Sequence, residues 1–112
     1  MKRGEIWLAN LNPTRGSGVG KIRPVVVFTA DFLIEQGEPT LIVLPLTTQV
    51  RKSKEPLHVT IEARGSLEVI SQVMPEQPRT LDRRRLLEGP LTVLTRGEMV
   101  AVEESFRAVT GL

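Results

Sequence analysis

Apolar residues come in short, mostly β-branched runs through the first two thirds of the chain, and only the C-terminal stretch changes period. Arg23–Thr29 (R-P-V-V-V-F-T) and Thr40–Leu46 (T-L-I-V-L-P-L) are continuous enough to predict buried strands. Pro45, inside the second run, predicts an edge or a bulge there, because proline cannot donate to a ladder. Leu57–Ile61 alternates as L-H-V-T-I and predicts a third strand. Glu5–Ala9 is a weaker one, centred on Ile6, Trp7 and Leu8, and Val69–Met74 is another, stopped by Pro75. Near the end, Met99, Val102, Phe106 and Val109 recur three and four residues apart, which predicts a helix with one apolar stripe. Thr95-Arg-Gly-Glu98 has the capping-box pattern at its start, and Gly111 supplies a stop. Short helical turns are expected at Asp31–Gln36 and, capped by Asp82, at Arg83–Leu87. Trp7 and Phe106 are expected in the core, and the one histidine, His58, in a structural role.

Several short strands and a terminal helix make this a mainly β chain with helices (α+β). The expected form is a small β-barrel or strongly curved antiparallel sheet with the helix packed on it. The 112 residues suit a single domain over 1–112, with no repeat, linker or low-complexity segment. A chain of this size buries roughly two thirds of its unfolded surface, enough for one modest core. The longest break between runs, Asn10–Ile22, holds three glycines and Pro13, together with Arg15 and Lys21. A loop of this length inside a small domain is usually functional, and its glycines let backbone N–H groups approach a phosphate. Its spacing is not that of a P-loop.

Composition removes much chemistry. Without cysteine there is no disulfide, thiolate metal site or thiol nucleophile. One histidine leaves no two-histidine acid–base pair and no histidine-rich metal cage. Scattered carboxylates give no sign of a two-metal centre. No apolar run approaches the ~18 residues of a membrane span, and the N-terminus turns polar too soon for a signal peptide, so a cytoplasmic protein is expected. Net charge is only +2, yet cations cluster at Arg51, Lys52 and Lys54 and again at Arg83–Arg85. Clustered charge of one sign can bind phosphate in a nearly neutral protein. Arginine and hydroxyl chemistry remain. Arg23 opens a buried strand and needs water, a carboxylate or a phosphate. Thr47 and Thr48 close the next long run. If the two strands are neighbours, their ends bring Arg23 and a threonine hydroxyl together. A buried arginine–carboxylate pair beside an ordinary strand-end threonine is the alternative.

The stretches K-R-G-E-I-W-L-A-N-L-N-P-T-R-G-S (2–17), R-P-V-V-V-F (23–28), P-L-T-T-Q-V (45–50), L-H-V-T-I (57–61) and E-Q-P-R-T-L-D-R-R-R-L (76–86) resemble the MazF/PemK family of toxin endoribonucleases. The resemblance covers nearly the whole chain, in order and length. It implies an SH3-like barrel in a homodimer. It also implies cleavage of single-stranded RNA, without metal or other cofactor, to 2′,3′-cyclic phosphate and 5′-hydroxyl ends. The implied partner is an antitoxin with an acidic, disordered tail, and no membrane is involved. The family's essential arginine and threonine carry over to Arg23 and Thr47, with Thr48 one alignment step away. Gln77 and Arg79 match a segment that lines the RNA groove. Arg15, Lys21, Arg51, Lys52 and Lys54 are the cations expected to track the RNA backbone. The family loop often reads G-S-E-Q; here Gly16-Ser17-Gly18-Val19 replaces it, and Lys21 stands where glycine is frequent. The competing function on the same fold is a non-catalytic DNA gyrase poison of the CcdB type. Such proteins typically expose a tryptophan near the C-terminal helix, and this chain ends E-E-S-F-R-A-V-T-G-L without one.

Overall fold

The computed structural model describes residues 1–11 and 21–112. The glycine-rich stretch 12–20, with Arg15, lies outside the described residues. The described residues form seven strands: β1 (Glu5–Asn10), β2 (Ile22–Val27), β3 (Thr40–Thr47), β4 (Val59–Ile61), β5 (Ser71–Val73), β6 (Arg79–Asp82) and β7 (Leu86–Val93). Helices α1 (Asp31–Glu35) and α2 (Arg96–Thr110) and 3-10 turns at Lys52–Lys54 and Arg83–Arg85 complete the order.

The strands pair antiparallel in the order β4-β5-β3-β2-β1-β7, with β6 also on β3. The result is a curled half-barrel with α2 packed on it, rather than a fully laddered barrel. Its open side is narrowed where the Arg64–Leu67 turn after β4 reaches β7, through a bond from the Ser66 N–H to the Leu91 carbonyl at 2.9 Å. Pro45 does not sit on an edge strand. β3 pairs with β2 along one side, and on the other it pairs with β6 up to Val43 and with β5 from Leu46. Pro45 falls in the gap between those two partners, where its missing N–H breaks no ladder, and its carbonyl accepts from Met74 N–H at 2.9 Å.

Side chains alternate across β1–β3, so the sheet feeds two apolar clusters. Ile6, Val26, Leu44 and Leu46 join Val73, Leu91 and Val102 of α2 on one face. Ala9, Val25, Val27, Leu41 and Val43 join Ile34, Leu81 and Leu86 on the other, with Trp7 packed against them. Phe28 and Phe106 meet at 5.0 Å between centroids, a core contact between sheet and helix. Arg3 lies 4.7 Å over the Phe28 ring and pairs with Glu103 of α2 at 2.9 Å. The helical stripe is shifted from the expected one. Val109 is exposed, because the last turns of α2 run past the sheet. Ser105 is buried instead, donating to the Leu57 carbonyl at 2.6 Å.

Two strands escaped the sequence pattern. Leu86–Val93 (L-L-E-G-P-L-T-V) carries Gly and Pro at its middle and lacks alternation, and Arg79–Asp82 is too short and polar to register. Conversely, Leu57 and His58 lie outside β4, and the Val69–Met74 run contributes only Ser71–Val73. His58 is buried, with Nε2 2.6 Å from Glu76 Oε2, the structural role expected of it. Asp82 caps its 3-10 turn by accepting from Arg84 N–H at 2.8 Å. The Arg84 guanidinium and N–H together hold its carboxyl down to about 2.

Gly89 explains the break in β7. A Cβ there would stand 2.5 Å from Trp7 Cδ2, so only glycine lets the indole lie on the β7 backbone. The Trp7 Nε1–H donates to Glu5 Oε1 at 3.0 Å, which satisfies its polar end. Gly89→Ala should therefore destabilise the fold by about 1–3 kcal/mol, read from denaturant unfolding; an unchanged midpoint would refute the contact.

The start of α2 holds a second test. Thr95 Oγ1 accepts from Glu98 N–H, and Glu98 Oε1 accepts from Thr95 N–H, closing the capping box. Arg64 grips the same carboxylate with its two terminal guanidinium nitrogens, Nη2 at 2.6 Å and Nη1 at 2.9 Å. Burial works against the Glu98 charge, but the Arg64 fork and the Thr95 N–H outweigh it, and the pKa falls below its usual 4.5. A folded-state pKa below the unfolded one gives stability that is complete above about pH 5 and is lost as pH falls through the depressed value. Glu98→Gln should thus cost about 1–2 kcal/mol near neutral pH and converge on the parent as pH falls through the depressed Glu98 pKa, measured by urea unfolding across pH.

Candidate active site

Strands β2 and β3 place the two residues of greatest chemical interest. Their register pairs Val27 with Val43 and Val25 with Pro45. Carried on by two residues, that register sets Arg23 against Thr47, and both line a cleft of about 420 Å³ with Ile22, Pro24, Leu46, Thr48 and Gln49. Alternation puts Arg23 and Thr47 on the face of Val25 and Val43, where the second apolar cluster ends and solvent begins. Thr48 falls on the opposite face, and also lines a neighbouring cleft of about 300 Å³ with Leu8, Glu68 and Glu88.

Arg23 is half-buried, and among the described residues no carboxylate or carbonyl engages its guanidinium. The alternative of a buried arginine–carboxylate pair is therefore not what the fold builds. A partly desolvated cation without a protein partner is left facing the cleft, ready for an anion. Thr47 has a defined orientation. Its Oγ1 accepts from Gln49 N–H at 3.1 Å, which leaves the hydroxyl proton to donate into the cleft.

The remaining sequence-derived candidates scatter around this pair. Arg51 and Lys52 are exposed at the first turn after the cleft-lining strip Thr47–Gln49. Lys21 is exposed beside Ile22, and its carbonyl accepts from Leu11 N–H at 2.9 Å. Arg79 shares the Arg23 face, being opposite Val43, and its Nη2 donates to the Leu11 carbonyl at 2.8 Å. Gln77 is exposed in the turn between β5 and β6, outside the lining of the cleft. Arg15 lies outside the described residues.

Two contributors were not among the sequence-derived site residues. Arg85 donates to the Asn10 carbonyl at 3.2 Å, so that two guanidiniums, from Arg79 and Arg85, hold the backbone where β1 ends. The R-R-R cluster signalled positive charge but not which member turns inward. The other is Gln72, wholly buried opposite Thr47 in the β3–β5 ladder. Its signal was weak, a lone amide in an apolar run. Among the described residues no three His, Asp or Glu side chains are grouped to hold a metal ion, and no helix is long and apolar enough to cross a membrane.

Comparison with known proteins bears on the family and the fold. The chain is 41% identical to an Endoribonuclease MazF of Staphylococcus saprophyticus subsp. saprophyticus and 39% identical to one of Staphylococcus epidermidis. Each match spans the whole of this chain and 92% of the relative. A Deinococcus radiodurans structure described as MazE-MazF (Form-II) superposes with a TM-score of 0.79 at 20% identity, covering 100% of this chain and 96% of that one; at that identity it speaks for the fold. A family model for the PemK-like, MazF-like toxin of type II toxin-antitoxin systems matches residues 2–110. With that match over nearly its whole length and these full-length relatives, the chain belongs to the PemK/MazF-like family of type II toxins.

Proposed function

We propose that this chain is a toxin endoribonuclease that cleaves single-stranded RNA at the cleft shared by Arg23 and Thr47. The reading rests on one observation above all: a half-buried arginine that no described residue pairs with faces the same cleft as an oriented threonine hydroxyl. The full-length relatives, named as endoribonucleases, point to the same chemistry.

Cleavage begins with attack of a 2′-hydroxyl on the neighbouring phosphorus. The bond to the 5′-oxygen breaks, leaving a 2′,3′-cyclic phosphate and a 5′-hydroxyl. Charge builds on the non-bridging oxygens as the phosphorane forms. The Arg23 fork is suited to clamp two of those oxygens, and the Thr47 hydroxyl to donate to the same phosphate. An arginine is effectively never deprotonated, so Arg23 stabilises charge rather than taking the proton. The described lining of the cleft holds no imidazole or carboxylate, which fits a site built for clamping and orientation. Exposed Lys21, Arg51 and Lys52 flank the cleft along the chain and, with Arg15, supply charge to hold the strand's phosphates. Single strands are favoured because only unpaired bases can be splayed and read in a groove.

The same reading takes the working form to be a cytoplasmic homodimer. It is silenced by an antitoxin whose acidic, disordered tail covers the cationic cleft. A mycobacterial structure described as an endoribonuclease in complex with its cognate antitoxin, 18% identical with a TM-score of 0.77, supports an antitoxin partner. A gyrase-poisoning role is not favoured, since the curated relatives are endoribonucleases.

Purified protein incubated with mixed-sequence RNA in excess EDTA should give discrete cuts with cyclic-phosphate ends. Arg23→Ala should lose at least about 100-fold in rate, and Arg23→Lys most of that, because the charge remains but the fork is gone. Near-parental cutting by Arg23→Lys would sink the clamp. Affinity for an uncleavable single strand should fall about 100-fold between about 50 and 300 mM salt if some four phosphates are contacted. A flat salt response would remove the cationic track.

A further inference from the structure

Among the described residues Gln72 is the largest polar side chain that is wholly buried, and its amide bonds the Arg51 backbone and the Thr60 hydroxyl. It stands in β5 between Thr47 of β3 and Thr60 of β4, paired with both. Its Oε1 accepts from Arg51 N–H at 3.2 Å, and its Nε2 donates to the Arg51 carbonyl at 3.1 Å. Nε2 also donates to Thr60 Oγ1 at 3.1 Å, and Thr60 in turn donates to Glu55 Oε2 at 2.7 Å. One primary amide thus reads both backbone groups of Arg51, as a further rung of the sheet would. Turning the amide over would set donor against donor and acceptor against acceptor, so its orientation is determined.

The position of this rung matters. β3 leaves its ladder at Thr47, and Thr48–Arg51 continue without regular pairing. Thr48 and Gln49 of that strip line the cleft, and the Gln49 N–H orients the Thr47 hydroxyl. It is held at one end by the Thr47–Gln72 strand pairing and at the other by the Gln72 side chain, so a single residue anchors both ends. A buried amide is costly unless its partners are met, and here one of them is the backbone of Arg51, two residues beyond the cleft-lining Gln49.

We propose that Gln72 is a positioning residue: by clamping the Arg51 backbone it aims the Arg51 guanidinium at the RNA strand, while the Thr47 end of the strip stays held by the β3–β5 backbone pairing. This rests on the nuclease reading for its consequence, but the clamp itself can be read without RNA. In Gln72→Met, which keeps length and apolar volume and removes the amide, the Arg51 N–H should exchange with solvent at least about 30-fold faster, while Val43 and Leu44 in β3 stay as protected as in the parent. In RNA cleavage the same variant should raise KM about 5- to 10-fold, as much as Arg51→Ala does, with kcat within about twofold. The double variant should be no worse than either single one, since both remove the same placed charge. Thr60→Val, which leaves both Arg51 bonds in place, should behave as the parent. If Gln72→Met does not fold, Gln72→Asn, one methylene too short to reach both groups, must show the same pattern. Unchanged exchange at Arg51, additive losses in the double variant, or a fall in kcat alone would each overturn the proposal. A parent that cuts no RNA would overturn the nuclease reading and with it the role at the cleft, while the exchange data would still report the clamp.

Discussion

The backbone of β3 is bonded along both edges, and on one of them it changes partner at Pro45. That double pairing is the constraint on which the molecule depends. β2 on one side carries Arg23 into register with the end of β3. On the other side β6 covers the first half of β3 and β5 the last, and β5 brings Gln72 against Thr47. A proline at this junction interrupts no ladder, because neither β5 nor β6 asks for its N–H. Strand order and cleft are therefore two consequences of one arrangement.

Alternation along β1–β3 sends successive side chains into two clusters, one covered by α2 and the other by α1, Leu81 and Leu86. The apolar rows on the second face end at Arg23 and Thr47. A guanidinium there is desolvated enough to be costly alone and exposed enough to meet a ligand. The same geometry supports both its placement and its proposed use: the sheet supplies rigidity, and the strand ends supply chemistry. Around the end of β1, Arg79 and Arg85 use their forks on backbone carbonyls. Not every arginine near the cleft is therefore free for phosphate, and the density of positive charge in the sequence overstates what the RNA would meet.

α2 is joined to the sheet by packing and by charge. Phe106 meets Phe28 under the Arg3 side chain, and Arg64 holds the capping carboxylate of Glu98 from the turn after β4. These contacts link residues far apart in sequence, so the helix closes one face of the half-barrel as well as ending the chain. The Gly89–Trp7 contact does the same for the outer strand, where the indole occupies the space that a Cβ would fill.

The sequence by itself determined the β-branched strands β2 and β3, the capped C-terminal helix and the core roles of Trp7 and Phe106. Each of these follows from local periodicity or from a cap whose partners are three residues apart. It also named Arg23 and Thr47 as a pair, through a resemblance running over nearly the whole chain. Only the tertiary structure decided the rest. β7 was hidden because its Gly-Pro interruption makes sense only against Trp7. Pro45 was misplaced because an edge or a bulge is the usual home of a strand proline, and a change of partner cannot be seen along one strand. Burial shifted from Val109 to Ser105 because the helix outruns the sheet, which depends on where the sheet ends. Gln72 gave no useful sign, since its partners lie 12 and 21 residues away in sequence. Periodicity is a local property of the chain; register, strand exchange and the clamping of a loop are properties of segments brought together from a distance.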